Sequence, residues 1–277
     1  MTASVALALV LLGGNGQQSI HWEHRFDEAV KKARAAKKPI MIDFWADWCT
    51  WCHRLDQTTY VDPLVVKLSE DFIAVKLDTE GAEKNQEIAL RYNVATLPTI
   101  TFVTPGGRQI LSLKGFQGPG QFPRTMEAAR DAAVRVMAFE SALDGNPRDS
   151  AALFGLGVHL FEQEFYEDSR ELLYRAAALD RARPVKDRKQ ARMLIGIIQN
   201  YERKYAEGEA ILKEALGIRP ATEYDPKMLF MLGHLYVSWN KKDAARGVLR
   251  TLLNDHPDSS VAPKARDLLK SLEREAE

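Results

Sequence analysis

The chain has 277 residues, of which 45% are hydrophobic and 27% charged, as expected for a folded globular protein of one or two domains. Its 38 basic and 38 acidic residues balance, which gives no electrostatic reason to expect nucleic acid as a partner. With only two cysteines, the chain has no framework of structural disulfides.

The N-terminus carries an apolar run at residues 3–12, followed by a segment rich in Gly and Gln. The run is shorter than the roughly 20 residues that span a bilayer, but it fits the core of an export signal. No Lys or Arg precedes it and no clear Ala-x-Ala cleavage site follows, so a frayed or buried terminal segment is the alternative. We expect export to an oxidising compartment such as the bacterial periplasm, soluble or N-terminally anchored, with a cytoplasmic location as the alternative.

The first half of the chain alternates predicted helices and strands. Residues 40–45 form a nearly continuous apolar run, which predicts a strand buried on both faces. A turn signal at residues 104–108 separates two further apolar runs and predicts a hairpin. The full order is a helix over 23–37, a strand over 40–45, a helix from 49, a helix from 63, a strand over 72–77, a helix over 85–92, and strands over 99–103 and 109–113. This order predicts a small mixed sheet with helices on both faces, an α/β fold.

Beyond about residue 120 the strand signals stop, and an all-α region follows. Pro147, Pro184, Pro220 and Pro257 recur at intervals of 37, 36 and 37 residues, and glycines keep a similar step. A fixed period in this range predicts stacked helical hairpins, here closed by an amphipathic helix over 261–275. The predicted domains are an N-terminal segment at 1–18, an α/β domain at 19–138 and a helical repeat domain at 139–277. We expect one continuous helix to join the last two.

Cys49 and Cys52 stand three positions apart, directly after the first strand. The loop that they close is too small to stabilise the fold much, so the pair is expected to cycle between thiol and disulfide. Cys49 should begin a helix, whose dipole favours a thiolate, and is the expected nucleophile; Cys52 would resolve the mixed disulfide. A zinc site needs about four ligands and only His53 is near, so no metal is expected. His21 and His24 also lack further ligands, and residues 21–24 are predicted to be a solvated segment.

Three stretches, residues 43–49 (DFWADWC), 76–78 (KLD) and 94–99 (VATLPT), resemble the thioredoxin superfamily in order and spacing. The resemblance covers roughly residues 23–130. It is closer to the periplasmic C-terminal domain of the membrane thiol-disulfide interchange reductases than to thioredoxin itself. The sequence CTWCH at residues 49–53 departs from the CGPCK of thioredoxin, so the redox poise cannot be predicted.

The resemblance implies a thioredoxin-like fold and a thiol-disulfide oxidoreductase that acts on protein thiols and disulfides. It favours the reducing direction, with electrons from a membrane or thioredoxin-type donor and no cofactor besides the cysteine pair. An oxidase or isomerase would use the same atoms. A scaffold or binding protein that uses the fold only as a platform is the alternative from another functional class.

The resemblance also implies roles for residues outside the pair. Asp43 would accept the proton of Cys52, with Lys76 biasing its charge; a buried structural Asp is the other interpretation. A cis bond before Pro98 would expose the backbone of Leu97 for pairing with a substrate peptide. Trp48 would lie over the site, or else in the core.

The remaining residues of the cysteine motif are expected to set its redox properties. Thr50 and Trp51 would tune the stability of the reduced form. His53 would stabilise the thiolate when protonated, or it is a solvated helix residue.

The helical half resembles tetratricopeptide repeats, which normally present a concave surface to a protein partner. The positions expected to line this surface are mostly apolar: Phe154, Val158, Met193, Ile197, Phe230 and His234. They would bind an apolar peptide or pack on the first domain. Nothing in this half of the sequence predicts catalysis.

Overall fold

The computed structural model describes residues 19–179 and 183–274. The chain divides into two compact units between Ala133 and Val134. The predicted export segment at residues 3–12 lies outside the described residues. Within the described ranges, no helix has both the length and the apolar character needed to cross a membrane.

The first unit contains the five strands of the described chain and the helices that pack on them. Its elements are β1 (Trp22–Glu23), α1 (Phe26–Ala36), β2 (Ile40–Trp45), α2 (Thr50–Arg54), a π-helical turn (Leu55–Thr59), α3 (Pro63–Ser69), β3 (Ile73–Asp78), α4 (Glu83–Arg91), β4 (Thr99–Val103) and β5 (Gln109–Lys114), followed by the start of α5 (Phe122–Gly145). The strand order across the sheet is β1-β3-β2-β4-β5. The pairs β1–β3 and β3–β2 are parallel and the pairs β2–β4 and β4–β5 are antiparallel, which confirms the predicted mixed sheet with flanking helices.

The central strand β2 separates two environments. Ile40, Ile42 and Phe44 are fully buried and pack with residues of α1 and α4 in one hydrophobic cluster. Successive side chains of a strand point to opposite faces of the sheet. Asp43 therefore lies on the face opposite to that cluster, and it is also fully buried.

Two features of this unit differ from the sequence prediction. Residues 21–24 were predicted to be solvated, but Trp22 and Glu23 form an edge strand parallel to β3. Two residues are too few to show the alternation by which a strand is recognised in a sequence. The helix after the cysteine pair also does not continue as a regular α-helix, since it changes to the π-helical turn at Leu55.

All the elements of regular secondary structure in the described part of the second unit are helices, joined by turns. Its elements after α5 are α6 (Ser150–Glu162), α7 (Tyr166–Ala178), α8 (Val185–Tyr201), α9 (Tyr205–Gly217), α10 (Asp225–Ser238), α11 (Lys242–Asp255) and α12 (Ala262–Arg274). The helical C-terminal region is thus confirmed, and its assignment to the tetratricopeptide class stays a prediction. The predicted domain boundary at 138/139 and the division after Ala133 both fall within α5.

The helix pairs α6–α7, α8–α9 and α10–α11 share one construction. Each pair turns through a residue with positive φ, at Glu164, Arg203 and Asn240. In each pair a glycine of the first helix packs against a leucine of the second so closely that a Cβ atom would lie 2.6–2.9 Å from that side chain. These contacts join Gly157 to Leu173, Gly196 to Leu212, and Gly233 to Leu249. The sequence period therefore corresponds to a repeated helical hairpin.

Candidate active site around the cysteine pair

The cysteine pair lies where the chain leaves β2 and enters α2. A turn closed by the Cys49 amide and the Ala46 carbonyl, 3.0 Å apart, brings Cys49 to the N-cap of the helix. Its sulfur accepts a hydrogen bond from the amide of Cys52 at 3.2 Å, as a capping side chain does. The two sulfurs are joined in a disulfide. Cys52 is fully buried, whereas Cys49 keeps 3% of its surface exposed.

Two tryptophans of the motif are open to solvent. Trp48 is 65% exposed and Trp51 57% exposed, although large aromatic side chains usually lie mostly inside a protein. The indole Nε1 of Trp48 donates a hydrogen bond to the carboxylate of Glu80 at 2.6 Å. The ring of Trp51 packs against Phe116, with 5.3 Å between the ring centroids. Two exposed aromatic rings next to the cysteines in the sequence are therefore each held by a neighbouring side chain.

The other predicted tuning residues lie at the start of α2. Thr50 and His53 are exposed. The Nε2 atom of His53 lies 2.7 Å from the backbone carbonyl of Asp47 and donates to it. Its ring also approaches Trp45 edge-on, with 6.4 Å between centroids. His53 thus ties the first turn of the helix to the loop before Cys49.

Leu97 and Pro98 precede β4. The peptide bond between them is cis. The carbonyl of Pro98 accepts a hydrogen bond from the amide of Gly115 at 2.8 Å, and Pro98 is buried. Leu97 is partly exposed and packs at the edge of the hydrophobic cluster that includes Phe44.

Asp43 and Lys76 are brought together by the parallel pairing of β2 and β3, in which they are direct partners. The Lys76 ammonium lies 3.2 Å from Oδ2 of Asp43. Burial raises the pKa of Asp43 to about 6, although the positive charge of Lys76 acts to lower it. A buried carboxyl with a pKa in this range exchanges protons near neutral pH.

Lys76 also contacts residues that the sequence did not predict for the site. Its ammonium forms a second ion pair with Asp56 of the π-helical turn, shorter than the one with Asp43. The rings of Trp22, Trp45 and Tyr60 surround the ammonium, with centroids 5.3–5.6 Å away. Asp56 follows Cys52 by four positions, so helical spacing offered one signal for it. No local pattern pointed to Tyr60, whose position depends on the π-helical turn.

The residues predicted to line a partner groove in the second unit do not share one environment. Met193 and Phe230 are buried in its hydrophobic core. Phe154, Val158 and Ile197 are partly buried against that core, and the Arg183 guanidinium covers the Phe154 ring at 4.4 Å. His234 is exposed, and its ring lies edge-on to Phe230 with 4.6 Å between centroids. Only four of the six side chains therefore reach the surface.

The described residues contain no group of three or more His, Cys, Asp or Glu side chains placed to hold a metal ion. The chemistry visible in this region is that of the disulfide and the buried carboxyl.

Comparisons with known proteins support the assignment of the first unit. Residues 21–105 match a family model described as thioredoxin-like. The thiol:disulfide interchange protein DsbD of Vibrio vulnificus CMCP6 is 34% identical over 93 residues, which are 32% of this chain and 16% of that protein. DsbD 1 of Pseudomonas aeruginosa is 31% identical over 98 residues, 35% of this chain and 17% of that protein. The chain thus spans about one sixth of the length of these relatives.

Solved structures also match part of the chain. The oxidised C-terminal domain of Neisseria meningitidis DsbD has 22% sequence identity and a TM-score of 0.35, with 39% of this chain and 97% of that chain covered. The match to the family model identifies residues 21–105 as a thioredoxin-like domain, and the helical unit lies outside that model.

Proposed function

We propose that this chain is a thiol-disulfide oxidoreductase that reduces disulfide bonds of proteins through Cys49 and Cys52. The observation that carries the proposal is the bonded pair at a helix N-terminus, beside exposed tryptophans. The printed names of the relatives, thiol:disulfide interchange proteins, support the same reaction class. The cysteine pair itself is the redox group, with no further cofactor.

The reaction starts from the reduced pair. The Cys49 thiolate attacks one sulfur of a substrate disulfide, which forms a mixed disulfide and releases the other substrate sulfur as a thiolate. Asp43 then accepts the proton of the Cys52 thiol. The Cys52 thiolate attacks the sulfur of Cys49, which closes the intramolecular disulfide and releases the second substrate thiolate. Two electrons have moved from the pair to the substrate, and a dithiol donor must return them.

The surrounding residues have supporting roles in this proposal. Lys76 sets the charge balance at Asp43 from its position 3.2 Å away. The backbone at Leu97 pairs with an extended substrate segment beside the exposed ring of Trp48. Thr50, Trp51 and His53 adjust the redox potential.

The wider biology of the chain belongs to the same proposal. A membrane or thioredoxin-type protein supplies the electrons, and the helical unit docks a partner protein. Export to an oxidising compartment would make a disulfide reductase useful, because disulfides persist there.

Insulin reduction tests the proposal directly. Wild type should reduce insulin with dithiothreitol as donor, and Cys49→Ser should lower the rate at least 100-fold because the attacking thiolate is lost and the remaining thiol, Cys52, is fully buried. Equal rates would support the scaffold alternative. Cys52→Ala should instead accumulate the mixed disulfide, which identifies the physiological substrate by mass spectrometry.

Equilibration with glutathione tests the direction. A potential near the −270 mV that is typical of thioredoxin would support reduction, whereas one near about −120 mV would assign the chain as an oxidant.

A further inference from the structure

Tyr60 ends the π-helical turn and is 3% exposed. Its ring packs edge-on against Trp22 and Phe122, with 5.0 and 5.9 Å between centroids. The Lys76 ammonium lies 5.5 Å from the centroid of the same ring. The ring is therefore fixed on three sides, and its hydroxyl has a defined position inside the protein.

The Tyr60 hydroxyl and the Asp43 carboxyl are both buried, and each group shifts the pKa of the other. Burial raises the pKa of Tyr60 well above its usual value, and the charge of Asp43 raises it further. Tyr60 in turn lowers the pKa of Asp43. Among the described residues, the Tyr60 hydroxyl and both carboxylate oxygens of Asp43 are buried without a hydrogen-bond partner. A buried hydroxyl without a partner is costly, so Asp43 is the acceptor for which this group is placed.

Three groups, from β3 and from the π-helical turn with its C-cap residue Tyr60, act on Asp43. Lys76 of β3 lowers its pKa, Asp56 of the π-helical turn raises it, and Tyr60 lowers it. Lys76 divides its charge between two carboxylates, since its ion pair with Asp56 is the shorter of the two. Tyr60 is the one neutral donor among these three groups.

We propose that Tyr60 is a positioning residue of the active site, whose hydroxyl holds the Asp43 carboxylate in place and keeps it ionised when Cys52 must lose its proton. The proposal rests on the role of Asp43 in the proposed function. No bond is made or broken at Tyr60, which keeps its own proton throughout. The proton of Cys52 goes to Asp43, and the hydrogen bond from Tyr60 determines how low the pH can fall before the base is lost.

Tyr60→Phe tests this proposal because it removes only the hydroxyl and leaves the ring. The matched control is Tyr92→Phe: Tyr92 is also 3% exposed, and its hydroxyl donates to the Gly107 carbonyl at 3.0 Å. Titration of the Asp43 carboxyl by carbon NMR, in the oxidised full chain, is the readout. We expect a rise of roughly 0.5 to 1 pH unit in the Asp43 midpoint for Tyr60→Phe, and no change for Tyr92→Phe. Equal midpoints in both variants would overturn the proposal.

If Tyr60→Phe folds poorly, a substitution that strengthens the hydroxyl as a donor provides the test instead. 3-Fluorotyrosine in place of Tyr60 is a stronger donor, so it should move the Asp43 midpoint to lower pH. A midpoint that stays fixed or rises would contradict the proposal.

Rates of insulin reduction give a separate readout. Tyr60→Phe should lose more activity at pH 6 than at pH 8, relative to wild type. A wild type that reduces no disulfide would end the proposed function, while the NMR titration would still decide whether Tyr60 controls Asp43.

Discussion

Among the described residues, each unit pairs a buried aspartate with a lysine, and the two pairs are built differently. In the helical unit, the Lys189 ammonium lies 2.6 and 2.9 Å from the two carboxylate oxygens of Asp225. Thr222 adds its amide and hydroxyl as donors to the same carboxylate, at 3.0 and 3.2 Å. In the thioredoxin-like unit, Lys76 lies 3.2 Å from Asp43 and is shared with Asp56.

The comparison shows how the same two residue types serve different purposes. A buried ion pair is stable only when its geometry is good and further hydrogen bonds satisfy both charges. Asp225 has these bonds and joins α8 to α10. Asp43 has a divided partner, and burial raises its pKa to about 6, which suits a group that must gain and lose a proton. The fully bonded pair fits a structural role, and the loosely bonded pair fits the proton transfer that we propose for Asp43.

Removing the lysine should give the largest difference between the two pairs in the free energy of unfolding. Lys189→Met leaves Asp225 buried and charged, which should destabilise the helical unit by about 3–5 kcal/mol. Lys76→Met should cost only about 1 kcal/mol at pH 5, because Asp43 is then protonated and needs no counter-charge. Hydrogen exchange read separately in α8 and in β2 measures the two costs.

The double variant Lys189→Met/Asp225→Leu is the control for this experiment, since it removes both charges and should recover most of the loss. If the two lysine substitutions lowered stability equally, the two ion pairs would have the same structural role.

Removing the carboxylate from the first pair should have the next largest effect on the free energy of unfolding, and the size of this effect depends on pH. A folded pKa of about 6 exceeds the unfolded value of 3.8, so folded Asp43 binds more protons between these values. Stability therefore falls as the pH rises from about 4 to about 6. Asp43→Asn should remove this penalty and stabilise the thioredoxin-like unit by about 3 kcal/mol at pH 7.5, but not at pH 4.

Asp225→Asn is the matched substitution in the other pair, and it should destabilise the helical unit at pH 7.5. Urea unfolding of each variant at both pH values measures these effects. A loss of stability in Asp43→Asn at pH 7.5 would mean that the first pair is also a structural one.

The sequence predicted the parts of the molecule that depend on short-range patterns. The apolar run of β2 and the hairpin of β4 and β5 were predicted because their signals are contained in a few consecutive residues. The repeat was predicted from the spacing of four prolines and from a similar step of glycines, which recur where two helices approach as closely as at Gly157, Gly196 and Gly233. The pairing of Asp43 with Lys76 came from the family resemblance rather than from any local pattern.

The rest of the site depends on geometry that a linear pattern does not contain. The π-helical turn at Leu55–Thr59 changes which side chains face the sheet, so the positions of Asp56 and Tyr60 were not foreseen. The edge strand that brings Trp22 to Lys76 has only two residues. In the helical unit, Met193 and Phe230 were predicted to line a groove, but they are buried in the core. Spacing alone does not show which face of a largely apolar helix meets its neighbours.

The smallest expected effect sharpens the comparison by making the first pair resemble the second. Asp56→Asn removes the competing carboxylate, so the Lys76 ammonium is free to engage Asp43 alone. Asp56 raises the pKa of Asp43, and its loss should lower the Asp43 midpoint by roughly 0.5 pH unit in an NMR titration. This shift is opposite in sign to the one expected for Tyr60→Phe. Stability at pH 7 should change by less than about 1 kcal/mol, since the lost ion pair is partly exposed. An unchanged midpoint would mean that Asp56, and with it the division of the lysine charge between two acids, has no part in setting the pKa of Asp43.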